Sequence, residues 1–326
     1  MCTAISLVSK QNEVFFGRTM DFNYELDLEA YIVPKNYKYR GDYLNKFYYT
    51  KYSFICTGQP TGKLLAADGM NEKGLGVAAL YFPGYAHFQS KPSVNKLSVT
   101  SVELVNYLLS NCKDVEEVMS LASVLEIIGV PDPVTNHIMP LHWIATDKTG
   151  KSVAIECTKN GLSILPNPVG VLANSPDLTW HYTNLSNYMM VSPQSPGLKE
   201  WGDLTIKALS KGTGGYGLPG DFTSPSRFVR ITFAKKFMQL PSTREEMILS
   251  CFHLMKLVTI PKGLVIANNK NPEYTQYTNF MNLNTGSYYF TSYYNNEIKC
   301  ANIKDNNTNK VLFLGKIKSR APFKHI

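Results

Sequence analysis

The amino-acid sequence predicts an α+β fold in which two β-sheets stack face to face and helices lie outside them. Two observations lead to this prediction. Strand-like segments are grouped before and after the helical segments, which argues against a regular βα alternation. The strand-like segments are also apolar or aromatic on both faces, in a chain with 20 Tyr and 16 Phe. Strands of this kind are buried on both sides.

The predicted elements follow one another in groups. Six strands come first, at residues 2–9, 14–20, 29–34, 52–57, 63–68 and 75–81. Two helices follow, at residues 102–112 and 115–124. Four more strands, separated by Gly-containing turns, are predicted at residues 141–147, 151–157, 162–165 and 169–173. Two longer helices are predicted at residues 224–237 and 244–256. The last strands are predicted at residues 263–268, 274–282, 286–293 and 310–315.

Composition and charge exclude several classes of protein. A chain of 326 residues with 44% hydrophobic side chains can bury a large core. The net charge of +8 is spread along the chain, so we expect a solvated basic surface and no nucleic-acid partner. No apolar run is long enough to cross a bilayer, and no signal-like segment is recognisable. We therefore expect a cytoplasmic protein with no membrane partner.

The cysteines are scattered, and no two are close in sequence. They are Cys2, Cys56, Cys112, Cys157, Cys251 and Cys300. This spacing argues against a disulfide framework, and the equally dispersed histidines argue against a zinc site.

The second residue is the strongest candidate for chemistry. Cys2 has a small side chain of the kind that Met-removing aminopeptidases accept, so we expect Met1 to be removed. Cys2 would then carry both a thiol and a free α-amine, which titrates near ~7.7–8.0 and can act as a base at neutral pH. A small second residue also serves processing alone, so the pair by itself leaves both interpretations open.

A hairpin is predicted at the start of the chain, with a polar turn at residues 10–13. If the turn is centred between residues 11 and 12, Cys2 lies directly opposite Asp21 on the same face. A carboxylate in that position would hold a terminal ammonium group, although an Asp at a strand end is also common. The same register places Arg18 opposite Ile5 on the other face, away from the thiol.

Five short segments, taken in order, carry a resemblance to a known family. They are Met1-Cys2, Gly17-Arg18-Thr19-Met20-Asp21-Phe22, Asp68-Gly69-Met70-Asn71-Glu72-Lys73-Gly74-Leu75, Ala173-Asn174-Ser175-Pro176, and Gly217-Leu218-Pro219-Gly220-Asp221-Phe222 followed by Ser226-Arg227-Phe228. Together they resemble the choloylglycine hydrolase family of N-terminal-nucleophile hydrolases, which includes bile salt hydrolases and penicillin V acylases. The resemblance implies a four-layer αββα sandwich with two mainly antiparallel sheets, in a single hydrolase domain at residues 1–326.

The resemblance also implies a catalytic role for each of five residues. Cys2 would attack an amide carbonyl to form a thioester, and its own α-amine would transfer the proton. Asp21 would anchor that amine, and Arg18 would lie near the sulfur and favour the thiolate. Asn174 would donate a hydrogen bond to the tetrahedral oxyanion, and Arg227 would complete the polar shell. Water would then resolve the thioester, so no cofactor and no metal are expected.

Tyr81 distinguishes the two substrate classes that the resemblance allows. Bile salt hydrolases typically have Asn at the corresponding position, and penicillin V acylases typically have Tyr. An aromatic wall suits a flat phenoxyacetyl group, so Tyr81 favours penicillin V acylase-type selectivity, with bile salt hydrolysis as the alternative. Tyr81 and Met20 are the residues expected beside the substrate, in the oxyanion region. The segment Phe82–Ala86 resembles the bile salt hydrolases instead.

Two interpretations outside this chemistry stay open. The protein could be a carrier of apolar anions that has lost its activity, although the intact set of five catalytic residues argues against it. A cysteine peptidase using Cys157 or Cys251 has no local signature in its support.

The segment at residues 191–220 is rich in Pro and Gly and interrupts the pattern of elements. It resembles the arm that packs subunits together in this family, which predicts a homotetramer. A surface loop without an assembly role is the other interpretation. The loop at residues 127–137 is predicted to border the mouth of the pocket.

Overall fold

The computed structural model describes residues 1–41, 47–60, 64–132, 136–267 and 270–318. Strands are numbered in chain order. They are β1 (Cys2–Val8), β2 (Val14–Phe22), β3 (Glu29–Val33), β4 (Lys38–Arg40), β5 (Phe47–Tyr49), β6 (Phe54–Pro60), β7 (Leu64–Asn71), β8 (Leu75–Tyr81), β9 (Leu97–Thr100), β10 (Leu125–Ile128), β11 (Leu141–Asp147), β12 (Ser152–Thr158), β13 (Gly161–Pro166), β14 (Val171–Leu172), β15 (Lys199–Trp201), β16 (Leu204–Ile206), β17 (Val265–Ile266), β18 (Pro272–Asn282), β19 (Ser287–Ser292), β20 (Asn295–Asn302) and β21 (Leu312–Lys316).

Five α-helices complete the described elements, together with single-turn 3-10 helices. The α-helices are α1 (Leu104–Asn111), α2 (Val115–Ser120), α3 (Leu178–Leu185), α4 (Ser224–Phe237) and α5 (Arg244–Lys256). No helix within the described ranges combines the length and the apolar character needed to cross a membrane.

Two large antiparallel sheets form the centre of the molecule. The first sheet has the strand order β14-β1-β2-β18-β19-β20, with β17 paired to β18. The second has the order β13-β12-β11-β8-β7-β6-β3-β21. Helices α1 and α2 pack on the second sheet, whereas α4 and α5 pack on the first. The layers therefore run helix, sheet, sheet, helix, and the predicted αββα sandwich is confirmed.

Strand alternation assigns each side chain of the first hairpin to one of two buried layers. Even-numbered residues such as Phe16 and Arg18 face the second sheet, since Arg18 contacts Asp68 on β7. Odd-numbered residues face α4, since Thr3 contacts Arg227 on that helix. Both faces of this hairpin are thus buried, as the apolar pattern predicted.

The predicted register of this hairpin is wrong by one residue. Cys2 pairs with Met20, not with Asp21, and Arg18 lies opposite Ala4. The connection between the paired residues Val8 and Val14 contains five residues, an odd number, and Asn12 within it adopts a left-handed backbone with φ of 59°. The expectation assumed a turn with an even number of residues. A shift of one residue moves every side chain of the partner strand to the opposite face, so Arg18 lies on the thiol side after all.

Element boundaries were predicted best where local signals are strong. Helices α4 and α5 have the predicted bounds, and α5 begins with the Thr243 side chain accepting a hydrogen bond from the Glu246 N–H. The sequence did not reveal α3, β20 or the three small strand pairs β4–β5, β9–β10 and β15–β16. Residues 63 and 268, at the edges of two predicted strands, lie outside the described ranges.

Candidate active site

The Cys2 thiol lies at the start of β1, between the two sheets, with 3% of the residue exposed. Its closest charged neighbour is Arg18 on the adjacent strand β2. The Nη2 atom of Arg18 donates to Cys2 Sγ at 2.6 Å, and its Nε donates to the Thr19 carbonyl at 2.9 Å. A buried cation in direct contact with the sulfur can stabilise negative charge that develops on that atom.

A buried polar network holds Arg18 from the opposite sheet. Asp68 on β7 lies 3.5 Å from Arg18 Nη1 and accepts a hydrogen bond from Asn279 at 2.6 Å. It also accepts from the hydroxyl groups of Tyr277 and, at 2.8 Å, Tyr288. The side-chain oxygen of Asn279 in turn accepts from the Arg18 backbone N–H at 3.1 Å. These donors satisfy a carboxylate that would otherwise be buried at a high energetic cost.

Charge and burial act in opposite directions in this network. Burial disfavours the charge of Arg18, but Cys2 and Tyr277 outweigh it and raise the pKa of the guanidinium. Burial also raises the pKa of Asp68, against the lowering effect of Arg18. Arg18 therefore stays charged beside the thiol. Asp68 belongs to one of the five sequence segments, but the sequence assigned it no role.

The backbone of Cys2 is held by residues from two distant parts of the chain. Its N–H donates to Asn174 Oδ1 at 2.8 Å, and its carbonyl accepts from Arg227 Nη1 at 2.6 Å. Arg227 Nη2 also donates to Asn174 Oδ1 at 2.6 Å. Burial lowers the pKa of Arg227, and Asp21 and Cys2 oppose that shift. The nitrogen that would become the free amine thus points at an amide oxygen, where it can donate a hydrogen bond.

The side-chain amide nitrogen of Asn174 has a single hydrogen-bond acceptor within the described ranges. Its Nδ2 donates one N–H to the Tyr81 carbonyl at 2.6 Å. The second N–H has no hydrogen-bond partner among the described residues. The Asn174 side chain is thus held by three contacts and keeps one N–H available as a donor.

Asp21 lies on the face opposite the thiol, as the corrected register requires. Its carboxylate accepts from Thr275 Oγ1 at 2.5 Å and from Thr19 Oγ1 at 3.3 Å. With Met1 in place, the terminal amine donates to the Asp21 carbonyl at 2.8 Å and forms an ion pair with Glu273. Burial lowers the pKa of this amine, and Cys2 and Asp21 oppose the shift. The negative charge of the Asp21 carboxylate therefore favours the charged form of the amine at the start of the chain.

A cavity of about 790 Å³ opens beside the thiol, and its wall is mainly apolar and aromatic. The lining residues are Cys2, Met20, Phe22, Tyr24, Leu26, Leu28, Gln59, Leu65, Ala66, Ala67, Ala79, Tyr81, Ser101, Val102, Val105, Asp132, Met139 and Leu141. A mainly apolar wall with a few polar groups is typical of sites that bind a single organic ligand. The other predicted site residues, Arg18, Asp21, Asn174 and Arg227, are not among the residues that line it.

Some of the residues that the sequence placed beside the substrate or at the pocket mouth line this cavity. Met20 and Tyr81 line it, as expected of residues beside the substrate. Asp132, from the predicted border loop, lines it too, whereas residues 133–135 of that loop lie outside the described ranges. In the part of the chain that the structure describes, no three His, Cys, Asp or Glu side chains converge in a way that could hold a metal ion.

The sequence profile of the linear amide C–N hydrolases of the choloylglycine hydrolase family matches residues 2–312. The chain belongs to this family. It is a hydrolase of linear amide C–N bonds, so the predicted family and reaction class are both confirmed.

Relatives of this hydrolase match along nearly its whole length. A protein named bile salt hydrolase/transferase from Clostridium perfringens is 34% identical over 312 residues, which cover 94% of each chain. Crystal structures of the R18L and C2A variants of conjugated bile acid hydrolase from the same species have TM-scores of 0.93 at 32% identity and cover 100% of both chains. Penicillin V acylase from Pectobacterium atrosepticum is 23% identical over 296 residues, which are 85% of this chain and 73% of that protein.

Proposed function

We propose that this hydrolase cleaves the amide bond between a bile acid and its glycine or taurine. The observation that carries the proposal is the mainly apolar and aromatic wall of the cavity next to Cys2. A bile acid presents a large, rigid and mostly apolar acyl group, which can fill such a space. A phenoxyacetyl group is smaller and can cover less of this wall, so it buries less apolar surface on binding.

The relatives favour the same substrate class. The Clostridium perfringens proteins named for bile salts or conjugated bile acids are 32–34% identical to this chain, whereas the penicillin V acylase, at 23%, is a more distant match. This preference goes against penicillin V acylase-type selectivity, which Tyr81 favoured in the sequence. The contact that Tyr81 makes with Asn174 runs through its backbone carbonyl, which any residue at this position provides.

The proposed mechanism begins with removal of Met1, because the Cys2 nitrogen is otherwise an amide and cannot act as a base. The free α-amine accepts the thiol proton, and the thiolate attacks the substrate carbonyl carbon. Arg18 stabilises the thiolate, and Asn174 donates to the oxyanion. The amine then passes its proton to the leaving nitrogen as the C–N bond breaks. Glycine or taurine departs and leaves a thioester on Cys2.

Water completes the reaction. The α-amine accepts a proton from water as the water oxygen attacks the thioester carbonyl, and the bile acid and the Cys2 thiol are released. Arg227 holds the Cys2 carbonyl and the Asn174 oxygen throughout. Asp21 favours the protonated amine through its charge. These roles need no bound metal or cofactor.

Comparison of kcat/KM on glycocholate, taurocholate and penicillin V tests the substrate class, with the C2A variant as the blank. We expect a value at least tenfold higher for one of the bile salts. Faster release of the phenoxyacetyl group would assign the protein to the penicillin V acylases and leave the reaction class intact. Hydrolysis that survives in C2A would exclude the N-terminal mechanism, and no turnover of any amide would support an inactive carrier.

We also propose that the enzyme is a cytoplasmic homotetramer and that its 326 residues form one hydrolase domain. The assembly proposal is supported by residues 191–220, where β15 and β16 form a hairpin whose side chains are exposed. Trp201, Leu209 and Tyr216 are 74%, 97% and 89% exposed, which is unusual for large apolar side chains unless a partner covers them. Light scattering after size-exclusion chromatography tests the assembly, and a monomer would contradict it. Cell fractionation tests the location.

A further inference from the structure

Two buried histidines contact consecutive backbone carbonyls next to Asn174. His142 on β11 donates from Nε2 to the Ala173 carbonyl at 2.9 Å, and His181 on α3 donates from Nε2 to the Asn174 carbonyl at 2.9 Å. Both contacts are donations by the ring, because a carbonyl can only accept. Ser224, at the first residue of α4, accepts from the Asn174 backbone N–H at 2.8 Å. The polar backbone atoms of Asn174 are thus held by side chains from two helices.

The histidines are themselves fixed in position. His142 stacks on Phe82 with ring centroids 4.1 Å apart, and its Nδ1 lies 3.2 Å from Glu156 Oε1. Glu156 also accepts from the Leu178 N–H at 3.1 Å, which connects this pair to the start of α3.

His181 makes a simpler set of contacts. Its ring stacks on Phe228 of α4 with centroids 4.5 Å apart. Its Nδ1 is buried without a hydrogen-bond partner in the described part of the chain. Burial lowers the pKa of His181 to about 4, so the ring is neutral near pH 7 and carries its single proton on Nε2. Two polar contacts of Nε2 therefore distinguish His181 from an apolar ring of similar size: the hydrogen bond to the Asn174 carbonyl and a longer contact with Ser224 Oγ at 3.5 Å.

We propose that His142, His181 and Ser224 are positioning residues that hold Asn174 where its amide meets the oxyanion. The side chain of Asn174 is already engaged by Cys2, Arg227 and Tyr81, and these contacts align only if the backbone below them is fixed. A displacement of the order of ~1 Å at a catalytic group can lower a rate about 100-fold. This inference rests on the proposed role of Asn174 in amide hydrolysis.

Replacement of His181 by Phe tests the inference, because Phe keeps the stacking on Phe228 and removes the donor. We expect kcat to fall about 10- to 100-fold with KM little changed. Alkylation of Cys2 by iodoacetamide needs the thiol but no oxyanion, so its rate should stay within about twofold of wild type. His181→Gln places an amide donor near the former Nε2 and should recover most of kcat.

The matched control is Thr146→Val. Thr146 is buried on β11, the strand that also carries His142, and its hydroxyl donates to Ser152 Oγ at 2.9 Å. It removes one buried hydrogen bond and should leave kcat unchanged. A His181→Phe enzyme that folds and keeps kcat within threefold of wild type would overturn the proposal. Equal losses in turnover and alkylation would overturn it too, since they indicate general disruption.

Ser224→Ala provides the second test and decides the outcome if His181→Phe does not fold. It removes the acceptor of the Asn174 N–H, and we expect the same selective loss of kcat. A kcat within threefold of wild type would contradict the proposal. The wild-type and C2A rates report on the proposed function separately. If bile salts are not cleaved, the same comparisons are made with the amide in the panel that is cleaved best, since Asn174 acts on the reacting carbonyl and not on the acyl group.

Discussion

Replacement of Asn174 by Asp changes one atom of the candidate active site. Oδ1 keeps its position beside the Cys2 nitrogen and Arg227 Nη2, at 2.8 and 2.6 Å. The Nδ2 donor becomes an oxygen that faces the Tyr81 carbonyl at a former hydrogen-bond distance of 2.6 Å. The substitution therefore removes the proposed donor to the oxyanion and brings two acceptors, the new carboxylate oxygen and the Tyr81 carbonyl oxygen, face to face. It also places a negative charge where negative charge develops in the transition state.

The expected effect on turnover follows from the lost donor. Removal of one oxyanion donor raises the activation free energy by about 3–4 kcal/mol, which is roughly two to three powers of ten in kcat. The added carboxylate repels the oxyanion, so we expect a loss of at least about 1000-fold. Stability should change less. The lost hydrogen bond to Tyr81 is worth about 1–3 kcal/mol, and the ion pair gained with Arg227 offsets part of it.

The assay measures glycine release from glycocholate, with the rate of Cys2 alkylation and the melting temperature recorded on the same samples. Asn167→Asp is the matched control, because Asn167 is also a buried asparagine whose Nδ2 donates to a backbone carbonyl, that of Val171, at 3.0 Å. It should melt lower and keep its kcat. An Asn174→Asp enzyme with more than a tenth of wild-type kcat/KM would refute the oxyanion role. A comparable loss in Asn167→Asp would show that the effect is structural.

Three further predictions follow from other residues. Arg18→Gln should slow alkylation of Cys2 at pH 7 by about 10- to 100-fold, since the buried cation that contacts the sulfur is lost. An unchanged rate would contradict the proposed role of Arg18 in stabilising the thiolate. Ser101 lines the cavity, and its buried hydroxyl has no hydrogen-bond partner in the described part of the chain. Ser101→Ala should therefore lower kcat/KM for glycocholate about tenfold more than for glycolithocholate, which has fewer hydroxyl groups. Equal changes for the two substrates would exclude a contact between Ser101 and the acyl group. Burial lowers the pKa of His181 from 6.5 to about 4, so between these pH values the unfolded chain binds a proton that the folded chain does not. The contribution of His181 to the free energy of unfolding is therefore complete above pH 6.5 and falls by on the order of 3 kcal/mol towards pH 4. Urea denaturation at several pH values should show a flatter acid dependence in His181→Gln, and an identical dependence in both proteins would disprove this contribution.

Local signals predicted the strong elements and the identity of the nucleophile. Helix α4 begins at Ser224 with Pro225 in its first turn, and such capping chemistry can be read from neighbouring residues alone. Helix α3 was missed although Asp177 caps it, because the helix is short and its burial depends on contacts with α4. Cys2 was recognised because its chemistry requires only a position next to Met1.

The details of the active site depended on geometry that the sequence does not encode locally. The left-handed conformation of Asn12 shifts the first hairpin by one residue and brings Arg18 to the thiol. The resemblance carried by the sequence motifs implied that Arg18 lies near the Cys2 sulfur. The register counted from the predicted hairpin placed Arg18 on the other face and so contradicted that implication. A single turn residue therefore decided which side chains share a face.

The sequence by itself determined the family, the reaction class and most elements, and it predicted Cys2 as the nucleophile, because these depend on local patterns and on short motifs in a fixed order. The tertiary structure alone decided how Asn174 and Arg227 meet the Cys2 backbone across more than 170 positions of chain, and how His142 and His181 come to support Asn174. Those contacts form because the two sheets and their outer helices pack together and bury polar groups that must then find partners. Such pairings join residues that are distant in sequence, so no local pattern predicts them.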